Sequence, residues 1–166
     1  MQTVTITEQE AGQRLDHFLE KYLSRAGRGF VYKMMRKKNI TLNGKKCGGG
    51  ERLEPGDAIR LFLSDETIRA FSEVIVQEVK RMPLQIVYED PHILLINKPA
   101  GMLSQKARPG DESLVEYLIR YLLDSGAVTR ESLKRVKPSV CNRLDRNTSG
   151  LVIAGKTLQG LQIMSD

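Results

Sequence analysis

Between Gln13 and Phe62 the apolar pattern changes period, and this confines the chain to folds in which helices pack on a sheet. From Gln13 to Leu23, Leu15, Phe18, Leu19, Tyr22 and Leu23 recur at the i, i+3, i+4, i+7, i+8 spacing of one helical face. A break, Ala26-Gly27-Arg28-Gly29, precedes a second, shorter helix from about Phe30 to Lys38. There Val31, Met34 and Met35 can face the first helix, while Lys33, Arg36 and Lys37 stand at i, i+3 and i+4 on the other side. Ile40-Thr41-Leu42 then runs into Asn43-Gly44, a strong short-range signal for a tight turn between strands. Glu54-Pro55-Gly56-Asp57 is a further turn, feeding a strand from Ala58 to Phe62.

Charge sharpens this reading. Residues 1–64 hold 12 basic and 7 acidic side chains, whereas residues 65–166 hold 14 and 13. From Arg25 through Lys46 there are eight basic residues and no acidic one. Like charges held together repel, so a one-sign block must spread into solvent or face a polyanion. A merely solvated face usually mixes in Glu and Asp, so nucleic acid is the favoured partner. Arg25, Arg28, Lys33, Arg36, Lys37, Lys38 and Lys45 are the candidate RNA contacts. Phosphate contacts of this kind supply affinity rather than choice of sequence.

Arg14-Leu15-Asp16, Phe18-Leu19, the basic second helix, Asn43-Gly44-Lys45 and Pro55-Gly56-Asp57 together resemble the alpha-L RNA-binding domain. That module is shared by a small-subunit ribosomal protein and many RNA-modifying enzymes. The resemblance covers residues 13–62 or so, and the domain is placed at 1–64. Gly48-Gly49-Gly50 departs from the pattern as a looser connection and is read as a flexible loop. Residues 65–83, which mix charges with single Val and Ile residues, are read as a linker that lays a strand against the next domain.

A second unit is expected over 84–166. Ile86-Val87-Tyr88 reads as a short strand, Glu89-Asp90-Pro91 as a turn and His92 to Asn97 as a buried strand. Lys98-Pro99-Ala100-Gly101 forces a loop that shapes the wall of a site, because Pro99 lacks a donor and Gly101 permits positive φ. Asp111 or Ser113 caps a helix from about Leu114 to Leu123, and Thr157 caps another. With no Trp and only 5% aromatic residues, the core must be built mostly from Leu, Ile, Val and Met. No apolar run approaches the roughly 20 residues that cross a bilayer, and the polar, acidic N-terminus is unlike a secretion signal. The cytoplasm is the expected location. Cys47 and Cys141 lie far apart with no CxxC, and His17 and His92 are the only imidazoles. A metal site, a disulfide framework and a serine–histidine triad are therefore not expected. His92, beside a turn, is read as a partly exposed structural residue.

The informative segment is Cys141-Asn142-Arg143-Leu144-Asp145-Arg146-Asn147-Thr148-Ser149-Gly150-Leu151. In extended chain Arg143 and Asp145 project to one side and Leu144 to the other. Taken by themselves they are a surface ion pair beside a turn, worth about 0–1 kcal/mol. Arg-Leu-Asp-x-x-Thr-Ser-Gly, however, resembles the signature of the RluA-type pseudouridine synthases, and Ile86 to Gly101 resembles the family's opening strands. The resemblance implies that Asp145 is the catalytic carboxylate; Arg143 lies close enough in the chain to favour its charged form. The resemblance also implies that Arg143, with Asn142 and Arg146 beside it, holds a uridine flipped out of structured RNA, ribosomal RNA being the expected target. No cofactor is implied. Many members carry His where this chain has Asn142. The family's catalytic domain also continues well beyond the position of Asp166, with a stacking Tyr, a further basic residue and central strands.

The expected architecture is α+β: a small alpha-L domain followed by the first part of a mixed-sheet pseudouridine synthase domain. The rival reading is a non-catalytic RNA-binding protein that retains the alpha-L domain and a remnant of the synthase fold. A basic scaffold without an RNA role leaves both motifs unexplained.

Overall fold

The computed structural model describes residues 1–80 and 82–166, and the chain divides into two units, Met1–Val74 and Ile75–Asp166. Its class is α+β, with one antiparallel four-stranded sheet and three helices in each unit among the described residues.

In the first unit, β1 (Gln2–Thr5), β2 (Ile40–Leu42), β3 (Lys45–Lys46) and β4 (Ala58–Leu61) form a sheet in the order β1-β4-β2-β3. Asn43 and Gly44 join β2 to β3 with φ of 51° and 75°, the left-handed pair that a tight hairpin demands. Helices α1 (Leu15–Tyr22) and α2 (Arg28–Arg36) bury the apolar faces read from the sequence. Leu15, Phe18, Leu19, Val31 and Met35 join Val4, Ile40, Ile59 and Leu61 in one core. The polar N-terminus hides an alternating strand: Val4 and Ile6 are buried while Thr3, Thr5 and Thr7 face solvent.

Two expectations are corrected here. Residues 65–72 are helix α3 (Asp65–Ser72), capped where the Ser64 side chain accepts from the Thr67 N–H. Ile68 enters the first unit's core, and the Phe71 ring lies 4.9 Å from that of Phe30. These residues therefore belong to the first unit as a helix rather than to a linker; Arg81, within the expected linker, lies outside the described residues. Gly49, for its part, is not in a loose loop. It is buried at φ 101°, and a Cβ there would stand 3.1 Å from the Asp16 Cβ and 3.2 Å from the Met35 Cε. Its carbonyl accepts from the Asp16 N–H at 2.9 Å, so the glycine permits a close backbone approach.

In the second unit, β5 (Ile86–Glu89), β6 (Ile93–Lys98), β7 (Ser139–Val140) and β8 (Gly150–Gly155) are ordered β5-β6-β8-β7. All three ladders are antiparallel, and the parallel bridge Leu103–Ser113 stands apart from them. Helix α4 (Leu114–Asp124) starts at Ser113, whose N–H donates to the Glu116 carboxylate at 2.8 Å. A short helix, α5 (Arg130–Leu133), precedes β7, and α6 (Leu158–Met164) is capped by Thr157. A Cβ on Gly160 would lie 2.2 Å from the His92 carbonyl oxygen, so only glycine lets α6 seat this closely on the start of β6. Exposed His92 meets the Thr157 hydroxyl through Nδ1 at 3.0 Å, in keeping with a structural role. Cys47 is buried and Cys141 partly buried, and both are free thiols.

Candidate active site and nucleic-acid interface

The register of β6 on β8 builds the candidate site. Lys98, the last residue of β6, sits directly opposite Gly150, the first of β8, and the signature segment enters at that end. Leu94, Ile96 and Lys98 alternate onto the buried face of β6, so the period of two carries Lys98 into the interior beneath the Asp145 loop.

The Lys98 side chain is wholly buried, and its ammonium is surrounded by main-chain oxygens. Nζ donates toward the carbonyls of Met102 at 2.8 Å, Pro99 at 3.1 Å, Asp145 at 3.1 Å and Arg146 at 3.3 Å. Burial pushes its pKa down, and the Asp145 charge pushes the other way. Gly101, at φ 93°, donates its N–H to the Arg146 carbonyl at 2.7 Å and joins the two loops directly.

Ser104 adds a second clasp. Its buried hydroxyl donates to the Leu144 carbonyl at 2.7 Å and accepts from the Leu144 N–H at 3.0 Å. Ser104 is itself held close to the start of α4, because the Leu114 N–H donates to the Leu103 carbonyl at 2.7 Å. Asn142 fixes the near end of the loop. Its side-chain oxygen accepts from the Ile153 N–H at 2.7 Å and its nitrogen donates to the Leu151 carbonyl at 3.2 Å. The Thr148 N–H closes a turn on the Asp145 carbonyl at 3.0 Å. Gly150, at φ 148°, lets the chain pass Leu144, whose Cδ1 would lie 3.2 Å from a Cβ there.

The outcome is a pinned backbone that presents exposed side chains. Arg143, Asp145 and Arg146 are all exposed, with Leu144 turned partly inward between them, as the extended reading expects. No ion pair joins Arg143 to Asp145 among the described residues; the charge that reaches Asp145 from the interior is Lys98. Asn142 is engaged at both polar atoms and holds the segment in this geometry. An exposed carboxylate between two arginines on a loop of fixed shape can accept a proton or attack an electrophilic carbon of an incoming ligand.

Lys98 is expected from the sequence only as part of a loop shaping the wall of a site, not as a buried clasp, and Ser104 is not expected at all. Lys98 had a legible signal, since it continues the buried alternation Leu94, Ile96 at the end of an apolar strand. Ser104 had none, because its role depends on two chain segments meeting.

In the first unit, Lys33, Arg36 and Lys37 stand exposed on α2, with Lys38 and Lys45 exposed beyond it. Arg28 pairs with Glu20 at 3.2 Å and lies over the Tyr32 ring, 5.6 Å from its centre. Arg25 pairs with Glu73. Lys33, Arg36, Lys37, Lys38 and Lys45 make no ion pair among the described residues. Behind them Asp16 is buried. Burial raises its pKa, but hydrogen bonds from Arg14, Tyr32 and the His17 N–H outweigh this and hold it at about 2. Among the described residues no three His, Cys, Asp or Glu side chains are grouped to hold a metal, and no helix is long and apolar enough to cross a membrane.

Residues 92–166 match the family model for RNA pseudouridylate synthase. The ribosomal large subunit pseudouridine synthase C of Escherichia coli (strain K12) is 31% identical over 98% of this chain and 49% of its own length. The protein of the same name from Vibrio cholerae is 30% identical over 98% of this chain and 50% of its own. The chain spans about half the length of the curated relatives it matches. A crystal structure of a pseudouridylate synthase aligns with 85% of this chain and 47% of that one, at 20% identity and a TM-score of 0.26, too loosely to bear on fold or function.

Proposed function

We propose, for a chain whose residues 92–166 match the RNA pseudouridylate synthase family model, that the protein converts uridine to pseudouridine in structured RNA with Asp145 as its catalytic residue. The observation that carries this reading is the presentation of Asp145. It is exposed, within the family match, on a backbone pinned from beneath by Lys98 and from the side by Ser104. Chemistry of this kind needs a carboxylate whose position does not relax as charge develops.

The reaction is an isomerisation. The bond from ribose C1′ to uracil N1 breaks, the base turns, and C1′ bonds to uracil C5. The C5 proton leaves and N1 gains one, so electrons balance without redox chemistry. An ionised Asp145 serves this either by attacking C1′ or by removing a ribose proton, and either role requires a carboxylate held beside the sugar. Arg143 and Arg146 flank it and bind the phosphates of a nucleotide swung out of the stack, while Asn142 keeps their backbone in register with β8.

The substrate is read as ribosomal RNA, in keeping with the names of the relatives, and the cytoplasm is its place of action. The first unit acts as an alpha-L domain that anchors RNA. Arg25, Arg28, Lys33, Arg36, Lys37, Lys38 and Lys45 supply the cationic surface, with Lys33, Arg36 and Lys37 as its centre because they stand together, exposed and in no ion pair among the described residues. The test is a comparison of Asp145→Asn with the parent protein. Loss of pseudouridine formation at retained RNA affinity supports the assignment; equal loss of both removes Asp145 from the chemistry.

A further inference from the structure

The outer face of the first unit's sheet carries a second group of cations that the α2 surface does not include. The register Thr3–Arg60–Thr41–Lys46 runs in one row across all four strands. Arg60 and Lys46 are exposed, flank the central strand and make no ion pair among the described residues. At the usual spacing of about 4.8 Å between strands, their backbones stand roughly 10 Å apart. Thr41 lies between them, 6% exposed, and its hydroxyl has no hydrogen-bond partner among the described residues. A buried polar atom without a partner is uncommon and favours a ligand or water that can satisfy it.

An aromatic ring stands in the next row of the same face. Phe62 continues β4 beyond Leu61, and its N–H donates to the Asn39 carbonyl at 2.7 Å in the same ladder register. Residues two apart on a strand share a face, so Phe62 stands beside Arg60, and it is 45% exposed. Arg60, Lys46 and Phe62 share the face with Thr3, Thr41 and Asn39, and the carboxylate at its Phe62 end, Asp65, is paired with the Met1 ammonium. Phe62 is thus an exposed ring with one cation, Arg60, beside it on the same strand and a second, Lys46, two strands across the face; hydrophobic burial does not account for it. A base stacked on the ring, with its phosphates on Arg60 and Lys46, does.

We propose that this face is a platform for a single-stranded RNA segment, with Phe62 stacking one base and Arg60 and Lys46 holding neighbouring phosphates. The proposal rests on RNA being the partner of the first unit and adds to it a second, structurally separate contact. Its chemistry is indifferent to sequence, since every base offers a π-face. It would capture an unpaired flank of the RNA while the α2 surface holds the rest.

The test uses the whole protein and two probes, a 5′-fluorescein 12-nucleotide oligouridylate and a fluorescein-labelled RNA stem-loop. Each phosphate contact on a single strand contributes about 0.7 to the salt slope, so Lys46→Gln with Arg60→Gln should flatten the oligouridylate slope by about 1.4. Phe62→Ala should weaken oligouridylate binding roughly 5- to 100-fold with the slope unchanged, and Phe62→Tyr should restore it. Thermal melts of each variant separate these effects from unfolding. Oligouridylate affinity and slope that survive both changes overturn the platform. Stem-loop binding without oligouridylate binding overturns it and leaves the function intact, whereas failure to bind either RNA overturns both. Binding to anionic vesicles in place of either RNA also overturns it.

Discussion

Lys98 Nζ lies 3.1 Å from the main-chain carbonyl oxygen of Asp145, although 47 residues separate the two in the chain. The contact places a buried cation against the backbone of the proposed catalytic residue rather than against its carboxylate. The side chain is therefore positioned and still free to meet a ligand.

Lys98→Met keeps the volume of the side chain and removes the donor. Up to four carbonyls around the ammonium then lack a partner, at a cost of about 2–4 kcal/mol. Urea titration followed by circular dichroism should show an earlier transition for the second unit. An unmoved midpoint would mean that water replaces the ammonium and that the clasp is dispensable.

Ser104→Ala removes the group that engages both the N–H and the carbonyl of Leu144. The loss is expected at about 1–3 kcal/mol, with turnover falling further than RNA affinity because the Asp145 backbone loosens. Ser104→Thr keeps the hydroxyl and should recover part of the turnover. Equal falls in turnover and affinity for Ser104→Ala would point to general unfolding instead.

Asp16 makes the first unit acid-sensitive. Its carboxyl is held at about 2 against an ordinary value of 3.8. A depressed carboxylate pKa contributes stability above the unfolded value and loses it as pH falls through the folded one. The contribution, about 2 kcal/mol, should therefore be complete above pH 4 and disappear toward pH 2. Asp16→Asn should flatten that part of the stability–pH curve measured by chemical denaturation. A mutant curve as steep as the parent's between pH 4 and pH 2 would remove Asp16 from the account.

Reversal of Lys33, Arg36 and Lys37 to Glu should weaken binding of structured RNA and flatten its salt dependence by about 2–3 in the logarithmic slope. Fluorescence anisotropy over a salt series measures both. Unchanged affinity would move the RNA surface away from α2.

Much of this architecture is legible from periodicity and turn chemistry. The faces of α1 and α2, the left-handed Asn43-Gly44 pair and the start of α4 at Ser113 depend on residues within one or two turns of each other. What escapes is set by distant partners. β1 looks like a polar N-terminal stretch until its pairing with β4 shows why Val4 and Ile6 alternate with threonines. α3 looks like a connector because its two anchors, Ile68 and Phe71, become meaningful only once Phe30 and the first unit's core lie beside them. The signature segment is visible as a motif, but its rigidity is not. Lys98 and Ser104 arrive from 40 residues or more away, and Arg143, expected to be the partner of Asp145, turns out to be exposed beside it without an ion pair.

The central claim is tested most directly by tritium release from ribosomal RNA labelled at uracil C5, with the parent protein and Asp145→Ala side by side. Bond formation at C5 must expel the label, so the account predicts release by the parent and none by the variant, with RNA binding equal in the two. Release that persists in Asp145→Ala would contradict the catalytic assignment. No release from a folded parent that still binds RNA would contradict the enzymatic reading and favour an RNA-binding protein that retains the synthase fold without its chemistry.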